Sequence, residues 1–295
     1  MTPAIRTVLG DVPPAELGAC NAHDHLFLRS PALPGQELDD PAAALAELRS
    51  FAALGGRAVA QWTPWGMGPR NEDLPELSRQ SGVHLIAATG MHQAKHYAGL
   101  PHGPLTDLFV HDLTAAQPKA GLIKVAGAFH HLDEHARHTL AAAAEAHHAT
   151  DAPIAVHLEG GTAALDVLHL LCVTHLVPPH RIILGHLLRF PDPRTHRQAA
   201  ESGAFLAFDG PSRAHHTTDW LLLETLSTLA TAGHAEQLLL GADTTTATAR
   251  STADGPGMAF LLRSIQPRIE QELGRALASK IFVENPSRAF AAHWR

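Results

Sequence analysis

Cysteine is scarce, with only Cys20 and Cys172 among 295 residues. That excludes a disulfide framework and a Cys-x-x-Cys site, and predicts a reduced, cytoplasmic setting. Lysine is scarce too: Lys95, Lys119, Lys124 and Lys280. There is no dense Lys/Arg run and the formal net charge is −7, which argues against nucleic acid as a partner. No stretch reaches the roughly 18 apolar residues of a membrane span, so no membrane partner is predicted. The opening residues, Met1-Thr2-Pro3-Ala4-Ile5-Arg6, lack a charged-then-apolar signal pattern. No linker or charge-run boundary is visible, which predicts one domain over residues 1–295.

What is present is an ordinary apolar fraction of 45%, ample for a core, and an unusual 23 histidines. With histidine this frequent, position has to carry the argument. Short apolar runs alternate with helical stretches along the chain. Strands are predicted at 17–21, 57–61, 84–88, 121–126, 153–157, 181–185, 204–208 and 238–242. Amphipathic segments lie between them, for example 41–54, 132–148, 162–175 and 217–232. Two more helices, 261–280 and 286–294, are predicted to close the structure. About eight strand–helix units predict an α/β fold of the (β/α)8 barrel type. A doubly wound open sheet is the alternative. It calls for a glycine-rich phosphate turn after the first strand, where the chain has Asn21-Ala22-His23-Asp24-His25.

Lys124 is the residue out of place. It sits in Leu122-Ile123-Lys124-Val125-Ala126, and burying a bare ammonium there costs several kcal/mol. A paired carboxylate, a shifted pKa or covalent chemistry on the amine would compensate.

The strand ends supply candidates. The first predicted strand leads to His23-Asp24-His25, the fifth ends at His157, the sixth at His186 and the eighth at Asp243. In a barrel these ends share one face, where active sites sit. Each residue alone has a plain alternative. His-x-His in so His-rich a chain reads as chance, a lone His as a hydrogen-bonded core residue, and Asp243 as a helix N-cap. Their conjunction on separate strands is far more specific.

The whole set resembles the phosphotriesterase-like branch of the amidohydrolase superfamily. The resemblance runs over almost the whole chain. Its fragments are Thr7-Val8-Leu9-Gly10, His23-Asp24-His25, Thr89-Gly90-Met91-His92, the lysine strand, His157-Leu158-Glu159-Gly160-Gly161, Gly185-His186, Leu239-Leu240-Gly241-Ala242-Asp243 and Asn285-Pro286-Ser287-Arg288-Ala289-Phe290. The resemblance implies two divalent metals, Zn²⁺ first, with Mn²⁺ or Co²⁺ as alternatives. It implies that His23, His25 and Asp243 bind the buried metal and that His157 and His186 bind the exposed one. Lys124, as a CO2-derived carbamate, would bridge the two. A bridging hydroxide would attack a lactone or carboxylic ester, with Asp243 taking its proton. A homodimer is common in that family.

Departures from the family pattern bear on the substrate. The middle residue of the first motif is Asp24 where Glu is usual, read here as neutral because it points away from the metals. The second strand ends Gln61-Trp62-Thr63-Pro64, where relatives commonly have Asp before the Thr-Pro pair. His215 and Thr244-Thr245-Thr246 replace basic residues of relatives that act on phosphorylated sugar lactones, so an anion clamp would be weak. A neutral small-molecule lactone or ester fits better. His92, Tyr97, Trp62, Arg189 and Arg213 are the candidate substrate contacts, with loop packing or rim ion pairs as the plain alternative. Competing readings are phosphotriester, phosphoester or amide hydrolysis at the same site, a non-catalytic barrel used for binding, and a Schiff-base lyase acting through a free Lys124 amine.

Overall fold

Eight short apolar runs become eight parallel strands in the computed structural model, which describes residues 2–210 and 217–295. They are Ala19–Asp24, Gly56–Gln61, His84–Ile86 continued by Ala88–Thr89, Leu122–Ala126, Ile154–His157, Ile182–Gly185, Phe205–Asp209 and Leu238–Gly241. Each pairs with the next in chain order, the third bending at Ala87 to serve both its neighbours. The eighth returns to the first, where the Asp243 amide donates to the His23 carbonyl at 3.0 Å. This is the predicted (β/α)8 barrel.

Alternation along each strand divides the core. In the sixth, Ile183 points inward while Ile182 and Leu184 face the helices. The barrel interior is built largely of small residues, including Ala22, Ala58, Ala60, Ala155 and Ala207. That leaves room for one large ring, the fully buried indole of Trp62. Parallel register keeps the site residues level. Lys124 lies opposite Ala155, His157 opposite Gly185, and Asp209 opposite Gly241.

Two predicted boundaries fail at the C-terminal end. The helix expected over 261–280 is broken at Gly274, whose φ of 95° lies in the left-handed region. The helix expected over 286–294 stops at Ala289, and Ala291–Ala292 instead pairs antiparallel with Ala4–Ile5. That strand joins the hairpin Ala4–Thr7/Gly10–Val12, and Ile5 and Phe290 plug the barrel floor. The barrel is closed by its first and eighth strands, not by these helices.

Candidate metal centre

The seventh strand was expected to end at Phe208, but it runs one residue further, to Asp209. That residue organises the site. Its Oδ2 lies 2.7 Å from His23 Nδ1 and its Oδ1 2.6 Å from His186 Nδ1, and it also accepts the His186 amide at 3.0 Å. A carboxylate only accepts, so both rings carry their proton on Nδ1. Burial pushes the Asp209 carboxyl up, but the His186 and His23 rings outweigh it and hold it well below the usual carboxylate range.

His25 is fixed by the same logic. Thr63 Oγ1 donates its one proton to the Phe27 carbonyl at 2.5 Å, so it must accept from His25 Nδ1, 2.7 Å away. Three imidazoles therefore turn an unprotonated Nε2 inward. His157 is reversed: its Nε2 is 2.9 Å from Glu159 Oε2, which leaves Nδ1 free. Burial lowers the His25 and His186 pKa values to about 4 and holds His157 well below its ordinary value. These rings are neutral at pH 7, the state a metal requires.

His23 Nε2 is buried and has no hydrogen-bond partner. It faces Asp243 Oδ1 at 3.6 Å, and His25 Nε2 faces the same oxygen at 3.5 Å. The ligand atoms of His23, His25 and Asp243 lie within 4.8 Å of one another. An orphaned buried nitrogen beside a second lone pair and a carboxylate oxygen is a donor set that fits a divalent cation. Asp243 Oδ2 is held by Arg189. Asp243 and His186 both adopt left-handed backbone, with φ of 49° and 65°, a strain of roughly 1–3 kcal/mol each that clusters at functional sites.

Lys124 is 2% exposed and, among the described residues, its side chain forms no ion pair or hydrogen bond. Burial lowers its pKa to about 7, with Asp243 and Glu159 pulling back. It opens on a cavity of about 310 Å³ shared with His25, His92, His157, His186 and Asp243.

The expected substrate contacts divide. His92 lines this cavity, its ring 4.4 Å from that of His157. Tyr97 holds the His92 amide through its hydroxyl at 2.6 Å and lines a neighbouring cavity of about 570 Å³ with Trp65, the two meeting at His96. Arg189 lines the same cavity but pairs with the buried Asp243 and not with a rim carboxylate. Trp62 is a correction. The expectation was a pocket wall, but its ring stacks under His23 at 3.8 Å and its Nε1 bonds the Ala22 carbonyl, deep in the barrel. It follows a strand that ends inside, so it fills the space left by alanines. Arg213 and His215 lie outside the described residues. Asp209, Thr63 and Glu159 escaped sequence reading as ring-orienting groups. Of these, Asp209 carried a signal, an acidic residue just past an apolar strand.

A profile of the phosphotriesterase family matches residues 3–290. The chain belongs to the phosphotriesterase family. A phospho-furanose lactonase of Mycoplasmopsis synoviae (strain 53) is 26% identical, the match covering 97% of this chain and 91% of that protein. A crystal structure of a lactonase from Listeria monocytogenes is 27% identical and superposes with a TM-score of 0.90, covering 97% of this chain and 98% of that one. An organophosphorus hydrolase from Deinococcus radiodurans is 26% identical with a TM-score of 0.85, covering 97% and 96%. This phosphotriesterase-family member is a hydrolase of small molecules.

Proposed function

We propose that this family member is a binuclear metal-dependent hydrolase that opens a neutral lactone or carboxylic ester. The observation that carries the reading is the cluster of His23, His25 and Asp243 ligand atoms beside a cavity that His157, His186 and the buried Lys124 also line. In this reading His23, His25 and Asp243 hold the buried metal, His157 and His186 the exposed one, and Lys124 serves both. Zn²⁺ suits this N/O donor set, with Mn²⁺ or Co²⁺ as alternatives. Such metals, when bound, polarise a carbonyl and make water nucleophilic near neutral pH.

The chain's own groups do the rest. The neutral Lys124 amine adds to the carbon of CO2, forming an N–C bond and releasing one proton, to give a carbamate with two donor oxygens. A pKa near 7 keeps a large share of the amine neutral under ordinary conditions. The Asp243 carboxylate would accept the proton of the attacking water, and Arg189 keeps that carboxylate aimed. Leu28, Leu33 and Met67 give the cavity an apolar flank suited to a hydrocarbon ring or chain.

Among the described residues, what faces the cavity favours a neutral substrate over a phosphorylated one. Thr245 there is uncharged, Arg189 is engaged, and Lys95 lies 3.8 Å from Glu159. The test is metal analysis of protein grown with Zn²⁺ and bicarbonate, coupled to turnover of neutral lactones, esters, phosphotriesters and a phosphorylated lactone. About two ions per chain and highest kcat/KM on neutral lactones are expected. Less than one ion per chain would sink the metal reading. Preference for the phosphorylated lactone would sink the substrate reading alone.

A further inference from the structure

Asp24, between the two histidines, points away from the metal cluster as a strand residue should, yet it is not idle. It is fully buried, and its Oδ1 accepts two backbone amides, His25 at 2.8 Å and Thr244 at 2.8 Å. Its Oδ2 takes the side-chain amide of Asn21 at 2.5 Å. Asn21, also fully buried, uses its other end, Oδ1, to accept the Ala242 amide at 3.0 Å. Between those two amides the Asp243 N–H binds the His23 carbonyl at 3.0 Å.

Three consecutive amides, 242 to 244, are thus all held by the first strand. An extended strand presents alternate amides to a neighbour, not consecutive ones. The left-handed φ of 49° at Asp243 swings the third amide round, and Asp24 is placed to receive it.

We propose that Asn21 and Asp24 form a positioning bracket that sets the mutual geometry of His23, His25 and Asp243. Neither touches the substrate. They fix the backbone on both sides of Asp243 and, through the His25 amide, the spacing of the histidine pair. The proposal rests on the reading of Asp243 as a metal ligand.

The hydrogen-bond polarity permits a direct test by exchange. In Asp24→Asn the two facing side chains both present NH2 groups. In Asn21→Asp two carboxylates confront each other. In the double variant donor and acceptor trade places, and every backbone bond keeps an acceptor. Zn²⁺ affinity is measured by equilibrium dialysis, kcat and KM by lactone turnover, and thermal midpoints on the metal-free proteins.

Each single variant should lose roughly 10–100-fold in Zn²⁺ affinity and a similar factor in kcat, with KM within about threefold. The double variant should recover most of both. A single variant with wild-type affinity and kcat overturns the bracket, as does a double variant no better than the worse single. So does a lower metal-free midpoint in the singles with affinity and kcat intact. Wild-type protein that binds no Zn²⁺ overturns the ligand reading and the bracket with it, whereas wild-type binding with unaffected variants overturns the bracket alone.

Discussion

At the scale of the residue, Lys124 is a buried amine whose pKa burial lowers to about 7. Lys124→Ala should abolish tight metal binding and activity together. On the carbamate reading, a short-chain carboxylate such as propionate should restore part of both, because it would supply the two donor oxygens lost with the side chain. Metal content and turnover with and without the acid check this. The sign of the pH dependence follows from the lowered pKa. The proposed carboxylation would draw on the neutral form, so reconstitution of metal-free protein should be slow below about pH 6 and fast above about pH 8, at fixed dissolved CO2. A rate that falls across that window would contradict it. Asp209 carries a separate expectation. Asp209→Asn presents one oxygen and one NH2, so it can accept from one ring N–H but would set a donor against the other, and one imidazole is misoriented. Metal affinity should drop about 10–100-fold, read by competition with a chelating dye.

At the scale of the element, the strand ends were legible in sequence because an apolar run of five residues with a polar stop is a local pattern. What the polar stops bond to is not local. Asp209 meets His23 across 186 residues of chain and Thr63 meets His25 across 38, distances over which no periodicity speaks. Trp62 was misread for a related reason: its burial depends on alanines from other strands, which only the closed barrel brings together. The C-terminal helices were misplaced because Gly274 and the strand Ala291–Ala292 depend on turn geometry and on pairing with the N-terminal hairpin. Strand contact also makes a prediction. A Cβ on Gly241 would lie 2.5 Å from His23 Cβ and 2.6 Å from its carbonyl oxygen. Gly241→Ala should therefore wedge the eighth strand from the first, costing roughly 3 kcal/mol or more in urea unfolding and lowering metal content.

At the scale of the whole molecule, no helix among the described residues is long and apolar enough to cross a membrane. The metal reading ties stability to ligand concentration. A cation that binds only the folded chain raises its stability by RT ln(1 + [L]/Kd), about 4 kcal/mol at a thousandfold excess over Kd. Chelation should lower the thermal midpoint by several degrees, and Zn²⁺ with bicarbonate should restore it more fully than Zn²⁺ alone. Equal recovery without bicarbonate would speak against the carbamate.

The ligands proposed for the buried metal come from opposite ends of the barrel's chain order, His23 from its first strand, His25 from just past that strand and Asp243 from just beyond its last. Their amides and carboxylates meet across about 220 residues of sequence, as the Thr244–Asp24 bond does. A nascent chain whose eighth strand has not docked can hold the two histidines but not the trio. On that reading metal capture at that position is a late event in biogenesis, and a bound ion would act as a rivet across the joint between the barrel's first and eighth strands.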